Sequence, residues 1–405
     1  MRKIQLQNSE LQTALARREF LKFAGIATLG LITPGFPKRG LSAKRRNDLL
    51  LYVGTYTTGA SEGIYLYRLD LSSGELSHVS TTKGVVSPSF LTIAPGRRYL
   101  YAVNEVDNFA GKKSGAVSAF AIDQRSGDLA LLNQQSSLGA DPCYVHVDAA
   151  GKFVLIANYT GGNVAVFPVQ PDGSLGEATD MKQAQGSSIN RERQTSPHAH
   201  SILLDSANRF AYSCDLGTDR IMIFRFDARK GKLLPGEPPW VQAKPGAGPR
   251  HLTFHPNGKY LFVLNELHSM VTVFKRDILK GNLNELQTLS TLPKAFTGTN
   301  TGADLHVSPD GKFLYCSNRG HDSIACFKIN PPTGQLTFVA HESAGGRTPR
   351  NFAIDPTGAF LLVANQNSDN IVTLRRDRET GRLSAVGHSA EVPSPVCVKF
   401  TTPFG

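Results

Sequence analysis

Five cysteines are spread over 405 residues, at positions 143, 214, 316, 326 and 397. An odd count with no close pairs excludes a disulfide framework and a cysteine-based zinc motif. Only Cys316 and Cys326, on adjacent strands of one predicted hairpin, are candidates for a bridge. Long segments of 3.6-residue period are absent beyond the N-terminus, which excludes a helical fold. No Gly-x-Ser-x-Gly elbow occurs, which argues against a serine hydrolase. The apolar run at residues 23–32 is half the ~20 residues that a membrane span needs. No basic stripe is interleaved with aromatics, so nucleic-acid binding has no support despite a net charge of +11. Residues 1–43 hold seven Lys/Arg and two Glu, a net of +5, leaving 11 − 5 = +6 for the remainder.

What is present is a repeat. An apolar run, a Gly-Lys-like turn and a second apolar run closing on Asn or Asp recur along the chain. Pro142 leads through Gly151-Lys152 to Asn158, Pro249 through Gly258-Lys259 to Asn265, and Pro349 through Gly358 to Asn365. The closing positions are 104, 158, 215, 265, 318 and 365, spaced by 54, 57, 50, 53 and 47. A third alternating run follows each, such as residues 270–274 and 323–327. A turn of the type Thr333-Gly334 and a short fourth run complete the unit. Alternating runs of four to eight residues between Gly, Pro, Asn and Asp turns read as antiparallel strands. Four strands in about fifty residues is a β-propeller blade. Gly 38 and Pro 23 supply the turns, and 40% hydrophobic residues supply the core.

The ends set the blade count. Residues 49–54 match a second strand, and residues 394–400 match a first strand. The two termini therefore complete one blade between them, and six full blades plus this one make seven. The prediction is an all-β, seven-bladed propeller over residues 44–405. The ring leaves no obligatory partner edge, which points to a monomer. Residues 1–43 read as a separate address: Arg17-Arg18-Glu19-Phe20-Leu21-Lys22 before a mildly apolar run is similar to a twin-arginine export signal, with Ala43 as a plausible last residue. This predicts a periplasmic or secreted protein with no stable membrane span.

Strand direction locates a site. The starts of first strands and the ends of second strands lie at one mouth of the ring, where loops converge. The starts contribute Asp141, His198, His200, Arg250, His251, Asp304, Arg350 and Asn351. The ends contribute Glu105, Tyr159, Asp215, Glu266 and Arg319. One step deeper lie His146, Thr253 and His306, flanked by apolar neighbours. Each has a structural alternative. The Asn and Pro of the frame are turn chemistry, His146 and His306 can fill the channel, and Arg350 can pair with Asp304. His198 and His200, at i and i+2, share a strand face that can suit a metal, but no third ligand is fixed, so no metal and no cofactor are assigned.

These residues resemble the seven-bladed lactonase family of propeller-type 6-phosphogluconolactonases and carboxy-cis,cis-muconate cyclases. The carrying motifs are Ser196-Pro-His-Ala-His-Ser201, Cys214-Asp-Leu-Gly-Thr-Asp-Arg220, Gly248-Pro-Arg-His251, Asn265-Glu-Leu267 and Ser317-Asn-Arg-Gly-His-Asp-Ser323, within residues 49–400. The resemblance implies hydrolysis of a small anionic or sugar-derived lactone, in carbohydrate metabolism. The alternatives are ring closure of the muconate type and a non-catalytic binding propeller. It also implies a catalytic set of one His, two Arg and one Glu, carried here by His200, Arg250, Glu266 and Arg350. His146, His198, His251, Asp304, His306 and Arg319 then fall to substrate binding, with Arg319 the rival of Arg350. On this reading Glu266 is the general base toward water and His200 protonates the leaving oxygen. An arginine fork holds the oxyanion or a substrate anion.

Overall fold

The computed structural model describes residues 47–402. The predicted signal segment, and the cut at Ala43, lie outside the described residues. The described chain forms seven four-stranded antiparallel sheets and one short 3-10 turn, Gln366–Ser368. We number the blades along the chain. Blade 1 pairs the C-terminal strand Pro395–Thr401 with Asp48–Thr55, Gly63–Asp70 and Leu76–Lys83. Blade 2 starts at Leu91–Ile93, blade 3 at Pro142–Val147, blade 4 at Ala199–Leu204, blade 5 at Pro249–Phe254, blade 6 at Thr301–Val307 and blade 7 at Pro349–Ile354. These first strands touch one another in chain order. The ring closes where Pro395–Thr401 meets the first strands of blades 7 and 2.

Each second strand is sandwiched on both faces, which is why its sequence is an unbroken apolar run. All six residues of Phe153–Asn158, of Tyr260–Asn265 and of Phe360–Asn365 are buried. Fourth strands such as Leu76–Lys83 face water and alternate with polar residues. Core clusters form between blades, as where Leu50 and Tyr52 of blade 1 join Leu91 and Tyr101 of blade 2.

A tyrosine bolt recurs between neighbours. The hydroxyls of Tyr52, Tyr101, Tyr212 and Tyr315 donate to the carbonyls of Gly127, Gly173, Gly281 and Gly381 in the next blade, at 2.6, 3.0, 2.7 and 2.8 Å. A buried phenol needs such a partner. The acceptor glycine is forced at Gly281: its φ is +78°, and a Cβ there would enter the Phe210 ring.

All five cysteines are buried and free. Cys316 and Cys326, the one pair the sequence left open, form no bridge, and the register says why. Cys316 pairs with Ala325 while Cys326 pairs with Tyr315. The two side chains therefore leave opposite faces of the sheet. One joins the core between blades 5 and 6, the other the core between blades 6 and 7.

Candidate active site

The entry to the first strand repeats in the backbone as well as the sequence. Ser87, Asp141, Gly248, Thr348 and Ser394 each precede a proline and each have positive φ, from +39° to +64°. Pro142, Pro249, Pro349 and Pro395 then open their strands, where no ladder donor is lost, while Pro88 stands three residues before Leu91–Ile93. Immediately after the opening residue the register slips. Pro142 pairs with Asn158 and Tyr144 with Ala157, leaving Cys143 as an extra residue. Ala199 and Ser201 pair with Asp215 and Cys214, leaving His200. Pro249 and His251 leave Arg250, and Pro349 and Asn351 leave Arg350. A bulge re-aims the side chain of its extra residue. Here the same bulge in four blades turns Cys143, His200, Arg250 and Arg350 toward one mouth of the channel.

The cavity at that mouth measures about 340 Å³. Bulge residues Cys143, His200 and Arg350 line it. The ends of second strands add Glu105, Tyr159, Glu266 and Arg319, and Thr301 and Arg193 complete the wall. Arg193 comes from the irregular connection at residues 184–198. That connection is tied down by buried Asp219, whose Oδ1 accepts from Gln194 Nε2 at 2.8 Å and from Gly248 N at 2.7 Å.

Glu266 is the hub of one half. Its Oε1 lies 2.8 Å from Arg193 Nη2, and its Oε2 lies 2.9 Å from Arg250 Nε and 3.0 Å from Arg319 Nη2. Burial pushes the carboxyl up, but Arg319, Arg250 and Arg193 together outweigh it and hold the group at about 2. Glu266 thus stays ionised with both oxygens occupied, which makes it a poor acceptor for a water proton and a good anchor for guanidinium groups. The general-base role expected for Glu266 does not fit this environment. Arg250 stands behind the wall, 2% exposed, and a second strut fixes it. Its Nη1 donates to His251 Nε2 at 3.2 Å, and His251 Nδ1 donates to Asp304 Oδ1 at 2.8 Å.

His200 is 4% exposed. Burial and the charges of Arg250 and Arg350 hold its imidazole well below the ordinary range. It is therefore neutral at working pH and has no imidazolium proton for a leaving group. That environment favours the neutral imidazole and gives no support to the proton-donor role expected for it. Its Nδ1 lies 3.6 Å from Cys143 Sγ and its Nε2 4.0 Å from Glu266 Oε2.

Arg350 differs from the other arginines. Among the described residues it makes no ion pair and no hydrogen bond; its guanidinium carbon lies 5.3 Å from the centre of the Tyr56 ring. Burial works against its charge, but Tyr56, Glu105 and Glu266 more than offset this and keep it protonated. Asp304, its conceivable partner, is instead held by His251, His306 and Asn351.

Of the ten residues marked by sequence, His200, Glu266, Arg319 and Arg350 line the cavity, and Arg250 buttresses it. His198 stacks on Tyr159 with ring centres 4.5 Å apart, outside the lining. His146, His251, Asp304 and His306 sit along the first strands and do not line the cavity. His251, Asp304 and His306 form their own network, and burial pushes His146 down to about 4. Among the described residues no group of three or more His, Cys, Asp or Glu converges as a metal site would require. Sequence reasoning gave no role to Glu105, though Asn104-Glu105 copies Asn265-Glu266 one for one. Nothing in the repeat frame marks Arg193, because its connection belongs to no strand.

The model of the seven-bladed β-propeller lactonase family matches residues 50–400. The 6-phosphogluconolactonase of Bacillus subtilis is 40% identical over 349 residues, covering 86% of this chain and 97% of that protein. The 6-phosphogluconolactonase of Formosa agariphila is also 40% identical, over 75% of this chain and 85% of that protein. The solved periplasmic gluconolactonase of Pseudomonas aeruginosa is 36% identical and superposes with a TM-score of 0.83, covering 88% of this chain and 99% of its own. A bulge-built mouth on a closed ring of seven sheets, and these matches along nearly its whole length, lead to one assignment: the chain belongs to the seven-bladed β-propeller lactonase family.

Proposed function

We propose that the protein hydrolyses a small, anionic or sugar-derived lactone in the cavity at the channel mouth. The observation that carries this reading is the unpaired guanidinium of Arg350 facing a fixed arginine array around Glu266. An unused fork of N–H donors in a half-buried cavity suits an oxygen that gains negative charge. Arg350 receives the lactone carbonyl oxygen as it becomes an oxyanion. Arg193, whose side chain is 38% exposed, and Arg319 take the substrate's other polar or anionic groups. Glu266 holds Arg193, Arg250 and Arg319 in place. Neutral His200 hydrogen-bonds the substrate rather than donating a proton.

Arg350→Ala should lower kcat/KM by about 10²–10³-fold, the usual loss when one oxyanion donor is removed. Arg350→Lys should recover only part, because an ammonium cannot reproduce the fork. Steady-state rates on both variants check this. The reading itself is tested by acid release from a panel of plain, sugar and phosphorylated sugar lactones; no release from any of them removes it.

No described helix is long and apolar enough to cross a membrane. The paired Arg17-Arg18 and the short apolar run after it, together with the periplasmic gluconolactonase among the relatives, support export to the periplasm. An exported enzyme would meet unphosphorylated lactones more readily than phosphorylated ones. The closed ring supports a monomer.

A further inference from the structure

Two carboxylates line the cavity, and they come from blades on opposite sides of the ring, Glu105 from blade 2 and Glu266 from blade 5. Their surroundings differ in kind. Three guanidiniums occupy both oxygens of Glu266. Among the described residues Glu105 has no ion pair. Its Oε1 accepts from the Tyr56 hydroxyl at 2.9 Å and its Oε2 from the Ser89 hydroxyl. Each oxygen therefore keeps a lone pair, and the side chain is half-buried and borders the cavity rather than sealed behind it. Arg350, the unpaired guanidinium, is its charged neighbour.

On the lactonase reading above, we infer that Glu105 is the proton-transfer group of the reaction, a catalytic residue that takes a proton from the attacking water and returns it to the ring oxygen. The reaction consumes only the lactone and one water. As the water oxygen bonds to the lactone carbonyl carbon, the carbonyl π pair moves to the oxygen beside Arg350. The water proton passes to Glu105. When the tetrahedral centre collapses, the C=O bond re-forms and the C–O bond to the ring oxygen breaks. The proton on Glu105 goes to the departing alkoxide. The product is the open hydroxy acid, which loses its own proton to solvent, and Glu105 is again a carboxylate.

The groups facing Glu105 agree with this role. Burial pushes its carboxyl up; Arg350 and the hydroxyls of Ser89 and Tyr56 pull it down, Asp141 adds to the rise, and the net position is above the ordinary value. Cys143, whose charge would couple to Glu105, is held as a neutral thiol chiefly by burial. Environments that drive two carboxylates of one site apart separate the proton carrier from the permanent anion. A raised carboxylate is the better base at neutral pH.

Glu105→Gln tests this, since the amide keeps the shape and can still bond Tyr56 and Ser89. The expected result is a loss of about 10²–10⁴ in kcat with a smaller change in KM. The acidic limb of the wild-type pH–rate profile, where Glu105 becomes protonated, should vanish in the variant. Far-ultraviolet circular dichroism and the melting temperature should match the wild type. If the wild type turns over a lactone and Glu105→Gln keeps both its rate within about threefold and the acidic limb, the assignment to Glu105 is wrong while the lactonase reading survives. If the wild type releases acid from no lactone, both fall together.

Discussion

Deleting the C-terminal strand Pro395–Thr401 is expected to abolish cooperative folding of the whole domain, not to fray one end. The strand is the innermost of blade 1, and it pairs with Asp48–Thr55 from the opposite end of the chain. Val396, Cys397 and Val398 are buried. Burial of each such side chain contributes roughly 1.5–3 kcal/mol. Val398 N also donates to Asn351 of blade 7 at 2.8 Å, and Leu91 N of blade 2 to Cys397 Sγ at 3.3 Å. The three side chains alone approach the ~5–15 kcal/mol that separates a typical folded domain from its unfolded chain. The deletion also leaves Asp48–Thr55 with an unpaired edge facing the channel. Circular dichroism melts of a chain ending at residue 393 should show no sharp transition near that of the full chain. A melt lowered by only a few degrees would mean the ring does not depend on this closure.

Glu266→Gln is expected to cost stability and binding together. Removing one partner of a buried ion pair leaves uncompensated charge, usually at ~3–5 kcal/mol, and here three guanidiniums lose their common anion. The pH dependence has a definite sign. The carboxyl sits at about 2 in the folded state, against ~4.3 in an unfolded chain. A depressed carboxylate contributes stability that is complete above the unfolded value and is lost as pH falls toward about 2. The gap corresponds to about 3 kcal/mol, consistent with the ion-pair figure. Denaturant titrations between pH 2 and 5 should show the wild type losing more stability in that window than the variant, in which Asp304 and the other depressed carboxylates still titrate, while KM for the substrate rises. A variant as stable as the wild type with only kcat reduced would restore Glu266 to the role of base.

The repeat made the ring legible, because the frame from proline to asparagine copies one backbone unit, down to the left-handed residue before the proline. The mouth was legible too: strand direction placed His200, Glu266, Arg319 and Arg350 at one end. Their chemistry was not. Strict alternation treats Arg250 and Arg350 as ordinary strand positions, whereas a bulge makes each the extra residue that turns inward. Roles for Glu266 and His200 followed from ordinary side-chain acidities, and those are set by neighbours that lie blades apart. Arg193 reaches Glu266 across 73 positions of chain from a connection without periodicity. Glu105 was readable as the copy of Glu266, but only the hydroxyls of Tyr56 and Ser89 show that it escapes the arginines.

A ligand-bound crystal structure tests most directly whether lactone chemistry lies between Arg350 and Glu105. Crystals soaked with an open aldonate, the product of ring hydrolysis, should show its carboxylate within hydrogen-bond distance of the Arg350 guanidinium. Its chain should lie along the wall formed by His200, Glu266 and Arg319. An aldonate seated elsewhere, for example in the apolar groove lined by Leu289, Leu336 and Phe338 on the outer strands of blades 5 and 6, with the mouth cavity holding only water at the same concentration, would contradict that placement.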